Sequence, residues 1–95
     1  MKRAYGEGDD PKDTVSMGGD AYRSTGLLHT VIQSVSRSGR RRTALLIDRG
    51  WFYADPHAYD RASGFIDEQV TVTWRLAYGR RFVTSLDGAV AKGVR

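Results

Sequence analysis

Residues 68–86, EQVTVTWRLAYGRRFVTSL, decide the fold. Val70, Val72, Trp74, Leu76 and Tyr78 fall on every second position, and Thr71, Thr73, Arg75 and Ala77 fill the alternate ones. A strand sends successive side chains to opposite faces, so the first set is expected in the core and the second toward water. After Gly79 the alternation resumes, with Phe82, Thr84 and Leu86 set against Arg81, Val83 and Ser85. The two runs predict a β-hairpin turning near Gly79 and Arg80, because glycine accepts the positive φ of a tight turn.

Upstream of this hairpin, Ala44, Leu45, Leu46 and Ile47 form a continuous apolar run closed by Asp48, Arg49 and Gly50. It reads as a buried strand. Trp51, Phe52 and Tyr53 follow, and adjacent aromatics cannot all face one core, so at least one of them covers a second surface. Asp55 and Pro56 look like a helix entry, with Asp as N-cap and Pro in the first turn. Gly64 is the expected stop, leaving a short helix that carries His57 to Ser63.

Residues 22–37 admit two readings. Leu27, Leu28, Val31, Ile32 and Val35 have the spacing of an amphipathic helix, with Ser24 or Thr25 as cap and Gly39 as stop. The abundance of β-branched residues and serine, with Gly26 near the start, argues for a strand instead. The strand reading is preferred, because the next segment pairs with it through a glycine-containing loop. The expected fold is therefore mostly β: a small bent antiparallel sheet or partly open barrel of about four strands, near 27–37, 43–53, 66–78 and 81–87, with one short helix. The alternative is α+β, with residues 25–38 helical on a three-stranded sheet. Residues 1–19, glycine-rich, acidic and poor in apolar side chains, are expected to form a flexible tail before a single domain at 20–95. A second loosely held tail is expected from Ala89 to Arg95.

Ninety-five residues with 40% apolar composition suffice for one core. No run approaches the roughly 18 apolar residues of a membrane span. There is no cysteine, hence no disulfide or thiolate metal site. With no signal-peptide pattern visible, a cytoplasmic location is expected. The net charge of +4 is uneven. In residues 1–20, Lys2, Arg3 and Lys12 stand against Glu7, Asp9, Asp10, Asp13 and Asp20, so the rest of the chain is the more basic part. A basic body attracts polyanions through counterion release. Only Lys2, Lys12 and Lys92 among the basic residues are lysines, which suits bidentate contact with phosphate and follows equally from coding rich in G and C.

Two arginine groups are the candidate anion-binding residues. Arg37, Arg40, Arg41 and Arg42 crowd a loop between two expected strands, and Arg75, Arg80 and Arg81 belong to the second hairpin. If both turns lie at one end of the sheet, the two sets merge into one patch. Trp51 and Tyr53 are candidates for stacking on bases or for a protein interface, whereas the regular alternation around Trp74 places it in the core. His57 and Asp60 share a helix face but lack a third ligand, so no metal site is assigned, and no cofactor motif is found. No nucleophile, histidine and acid recur at interpretable spacing, so the chain does not read as an enzyme.

The basic hairpin and small-barrel outline resembles OB-like and SH3-like nucleic-acid modules at the level of architecture, and no motif of either is carried over residue by residue. The expected function is a nucleic-acid-binding module with electrostatic, low-specificity backbone contacts to DNA or RNA. The alternative is a non-enzymatic interaction or assembly subunit, such as a virion component or an inhibitor of a host complex, docking on an acidic partner or on copies of itself.

Overall fold

The computed structural model describes residues 8–88. It contains six strands and one helix: β1 (Asp13–Gly18), β2 (Ala21–Val35), β3 (Arg41–Ile47), β4 (Gly50–Ala54), α1 (Ala58–Ser63), β5 (Gln69–Ala77) and β6 (Arg80–Gly88). The strand order is β1-β2-β3-β4-β6-β5, and β5 pairs with β2 as well. Five strands thus run into a partial ring. Its weak point is the parallel contact of β4 with β6, made at the single register pair Tyr53↔Phe82, so the sheet is mostly β and ring-like without being a barrel.

β2 is the strand that holds the ring together. Its first half, residues 21–27, lies between β1 and β5, while its second half pairs with β3. The change of neighbour occurs at a bend with identifiable causes. The β2–β3 register slips between Leu28 and Thr30. Just before it, a Cβ on Gly26 would lie 2.6 Å from Asp48 Oδ2 and 2.9 Å from Ile47 Cγ2, so no larger residue fits. Asp48 Oδ1 accepts the Leu27 amide at 2.9 Å, and the Asp48 amide donates to Leu27 O at 2.9 Å. The glycine that weakened a helical reading of this segment is the place where two strands meet, and the helical alternative for residues 25–38 is overturned.

The core is built from Leu28, Val31, Leu45, Ile47, Phe52, Val70, Val72, Trp74 and Leu86, with Ala62 of α1 pressed onto it and Tyr22, Tyr59, Phe65 and Val83 around the margin. Burying side chains of this size stabilises by about 1.5–3 kcal/mol each. The helix enters through Asp55, whose Oδ1 accepts the His57 amide at 3.0 Å; the N-cap position itself is His57. Thr43 Oγ1 donates to Asp55 O at 2.8 Å and fastens this entry to β3. No helix among the described residues is long and apolar enough to cross a membrane.

Four local expectations are corrected. The segment 43–53 is two strands, β3 and β4, because Asp48 (φ 53) and Arg49 form a tight turn that pairs Ile47 with Gly50. The β5–β6 turn is Tyr78-Gly79 rather than Gly79-Arg80: both residues have positive φ, 53 and 74, the pattern of a two-residue type I′ hairpin loop. Leu76 and Tyr78 were expected inside, but the hairpin outruns the core, leaving them 46% and 97% exposed. Finally, the β5–β6 register skips between Thr73 and Trp74, which face Ser85 and Val83. The extra residue, Thr84, is a bulge, and it exchanges the two faces of β6 on either side of it.

The N-terminal stretch also departs from the expected tail. Residues 1–7 and 89–95, which hold the start of the first expected tail and the whole of the second, lie outside the described residues. Residues 13–18 form β1, and three hydroxyl-centred bonds tie this region inward. Trp74 Nε1–H donates to Ser24 Oγ at 2.8 Å, Ser24 is bonded to Thr14 Oγ1 at 2.7 Å, and Thr14 Oγ1 donates to Pro11 O at 2.6 Å. Ahead of β1, Gly8 bridges Gly50. The approach is tight enough that a Cβ on Gly50 would stand 2.3 Å from Asp9 O. A stretch with few apolar side chains is thus held by polar contacts to the core.

Candidate nucleic-acid interface

The register fixes which side chains share the outer surface of the ring. Residues directly opposite each other in a ladder project to the same side, about 5 Å apart. Ala21 faces Arg75, Arg75 faces Phe82, Phe82 faces Tyr53, Tyr53 faces Ala44, and Ala44 faces Ile32. This row crosses five strands. At its middle, Tyr53 and Phe82 lie with ring centroids 6.2 Å apart at an interplanar angle of 44°.

Three guanidiniums border these rings. Arg42 stands over Phe82 at 5.5 Å, Arg80 over Tyr53 at 5.5 Å, and Arg75 opposes Phe82 in the ladder. A guanidinium over a ring face is attracted by its quadrupole, worth about 0.5–1 kcal/mol at exposed sites. Arg42 and Arg80 are therefore oriented by the rings they cover. Trp51, two residues before Tyr53 and paired with Leu46, extends the same face and is half-buried. Among the described residues, Arg42 and Arg75 have no carboxylate within ion-pair distance.

The seven expected arginines thus divide into three groups. Arg42, Arg75 and Arg80 gather around the aromatic pair. Arg37, Arg40 and Arg41 are exposed on the β2–β3 hairpin above Arg42; its loop is closed by Ser36, whose amide donates to Arg40 O at 2.9 Å and whose Oγ accepts the Arg40 amide at 3.1 Å. Arg81 stands apart. It is only 2% exposed. Its Nε donates to Asp10 Oδ1 at 2.9 Å, its Nη1 to Trp51 O at 3.0 Å and its Nη2 to Gly8 O at 2.7 Å, while Nη2 and Asp10 Oδ1 form an ion pair at 2.8 Å. The guanidinium also lies 5.0 Å from the Phe52 ring centre and 5.8 Å from that of Trp74. An arginine so enclosed is a structural cation, and its expected place in the anion-binding set is corrected: the Thr84 bulge turns it inward.

The two bends do not lie at one end. Thr43 is level with Ala54, so the β2–β3 loop adjoins the end of β4, whereas Tyr53 level with Phe82 in parallel sets the β5–β6 turn beside its beginning. Arg42 and Arg80 are linked through the two rings across the middle of the face, without coincidence of the turns. Two outward residues were missed from sequence. Phe82 alternates with Leu86 and so reads as core until the bulge between them is known, and Arg23 lay in the segment whose helix or strand character was open. Trp74, expected in the core, is there, stacked on Tyr22 at 4.6 Å and edge-on to Phe52 at 5.5 Å.

Comparison with protein-family models, with curated proteins and with solved structures returns no match to this chain.

Proposed function

We propose that the chain is a non-enzymatic nucleic-acid-binding module whose outer face takes a polyanionic strand. The observation that carries this reading is the row Arg75-Phe82-Tyr53 bordered by Arg42 and Arg80. Aromatic rings and guanidiniums held side by side on a sheet supply the two interactions that single strands need, stacking at about 1–3 kcal/mol per base and neutralisation of phosphate. Arg37, Arg40 and Arg41 extend the positive field from the neighbouring hairpin. Contacts of this kind are made to the backbone and to base faces, so sequence preference is low.

The test is anisotropy titration of labelled single-stranded and duplex oligonucleotides at about 50 and 200 mM salt. Each phosphate contact contributes roughly 0.7 (single strand) to 0.9 (duplex) to the slope of log affinity against log salt. Binding that weakens more than about tenfold over that range is expected. The variant R42A/R75A/R80A should flatten the slope by about two. Absence of binding at the lower salt overturns the proposal.

One feature favours a second reading, self-assembly. Among the described residues β1 pairs only with β2, and on this edge strand Val15 and Met17 are 50% and 46% exposed. Unpaired strand edges with apolar side chains are sites of association. Light scattering at two protein concentrations separates the readings: a concentration-dependent mass with no oligonucleotide binding supports assembly.

A further inference from the structure

We infer that this interface selects RNA over DNA single strands, through a field of hydroxyl groups beside the arginines. The inference rests on the nucleic-acid reading above and names the substrate class of that same face.

The field is read from the registers of β1, β2, β5 and β6. Next to the row of Ala21, Arg75 and Phe82, a second outer row runs Val15, Arg23, Thr73, Ser85, and a third runs Asp13, Thr25, Thr71, Asp87. Neighbours within a row are about 4.8 Å apart and successive rows on one strand are about 6.7 Å apart. Four hydroxyls, those of Thr25, Thr71, Thr73 and Ser85, are therefore set on a regular lattice that adjoins Arg23 and Arg75. They line an open trough of about 640 Å³. Room of this order accommodates small ligands, for which clefts of about 300–1,000 Å³ are usual.

The chemistry changes from row to row and along each row. Arg75, in the row of Phe82 just outside the trough, and Arg23, beside Thr73 in the second row, offer only donors, which suit phosphate oxygens. In the middle, threonine and serine hydroxyls both donate and accept, which matches the ribose 2′-OH, itself donor and acceptor. Thr25 Oγ1 and Thr71 Oγ1 are bonded at 3.0 Å, so one hydroxyl proton is used between them while the other and the remaining lone pairs stay available. Asp13 and Asp87, at the two ends of the third row and flanking Thr25 and Thr71, only accept; they repel phosphate and take a hydroxyl donor. Asp87 is already paired with Arg61 at 3.1 Å, which leaves Asp13 the stronger acceptor. A strand whose bases lie on Phe82 and Tyr53 and whose phosphates meet Arg75 and Arg23 thus carries its sugars onto the hydroxyl lattice. Deoxyribose leaves those groups unmet.

The experiment compares a 15-nucleotide oligouridine with its deoxyuridine counterpart, so that the 2′-OH is the sole difference. A neutral hydrogen bond corresponds to roughly two- to tenfold in affinity. The RNA is expected to bind at least about fivefold more tightly, and T25V/T71V/T73V, which keeps side-chain volume on strands that favour valine, should bring the ratio toward one. A ratio of one for the wild-type protein with both oligonucleotides bound overturns the selectivity while leaving the nucleic-acid reading intact. A folded triple variant that keeps the preference removes the hydroxyl field as its source. Binding of neither oligonucleotide overturns the reading itself. If the variant does not fold, amide chemical-shift mapping on the wild type decides: shifts at Thr25, Thr71 and Thr73 with RNA but not DNA support the assignment, and equal shifts with both overturn it.

Discussion

Arg80 and Arg81 are neighbours in the chain and identical in chemistry, yet one stands over Tyr53 on the outer face and the other is enclosed beneath it, bonded to Asp10, Gly8 and Trp51. The difference lies in the backbone. A strand assigns alternate residues to opposite faces, and the bulge at Thr84 decides which parity is inward before it. Arginine content therefore says little about an anion-binding surface until the phase of the strand is known.

Replacing Arg81 is the most direct way to break this contrast. Arg81→Met should lower unfolding free energy by about 3 kcal/mol, since the hydrogen bonds of a buried guanidinium to Asp10 and two carbonyls are lost. The counterpart Arg80→Ala should cost less than about 1 kcal/mol, the worth of an exposed cation–ring contact. Urea denaturation of both variants checks the pair, and similar losses would erase the distinction. Asp10→Asn follows with about 2 kcal/mol, the value of a charge-assisted hydrogen bond. A double-mutant cycle with Arg81→Met should then give strong coupling; additive losses would mean that Asp10 and Arg81 act separately. The smallest effect is expected at the turn. Tyr78 is almost fully exposed and holds a positive φ that asparagine adopts more readily, so Tyr78→Asn should stabilise by about 0.5 kcal/mol and raise the melting temperature by a few degrees.

The same contrast explains what sequence could and could not tell. The alternation around Val70, Val72 and Trp74 announced a hairpin, and the structure has it. The apolar run 44–47 was legible as a strand because burial on both faces leaves no polar residue in it. What remained hidden depends on contacts distant in sequence. Gly26 reads as a weak point in either a helix or a strand until Asp48, 22 residues later, is seen to occupy the space a side chain would need. Asp10 reads as tail acidity until Arg81 claims it across 71 residues. Phe82 reads as core because a one-residue bulge leaves no mark in composition or periodicity. Residue types named the components of the outer face, and only register could say which of them meet.

The hydrogen-bonded path from the Trp74 indole through Ser24 and Thr14 to Pro11 has a practical consequence. The chain's two tryptophans report on different events. Trp74 emission is expected to follow release of the N-terminal segment, whereas Trp51, half-buried on the outer face, would respond to a strand bound there as proposed. Docking of the segment and the proposed binding can thus be tested separately in one unlabelled molecule, with a Trp51→Phe form isolating the interior signal.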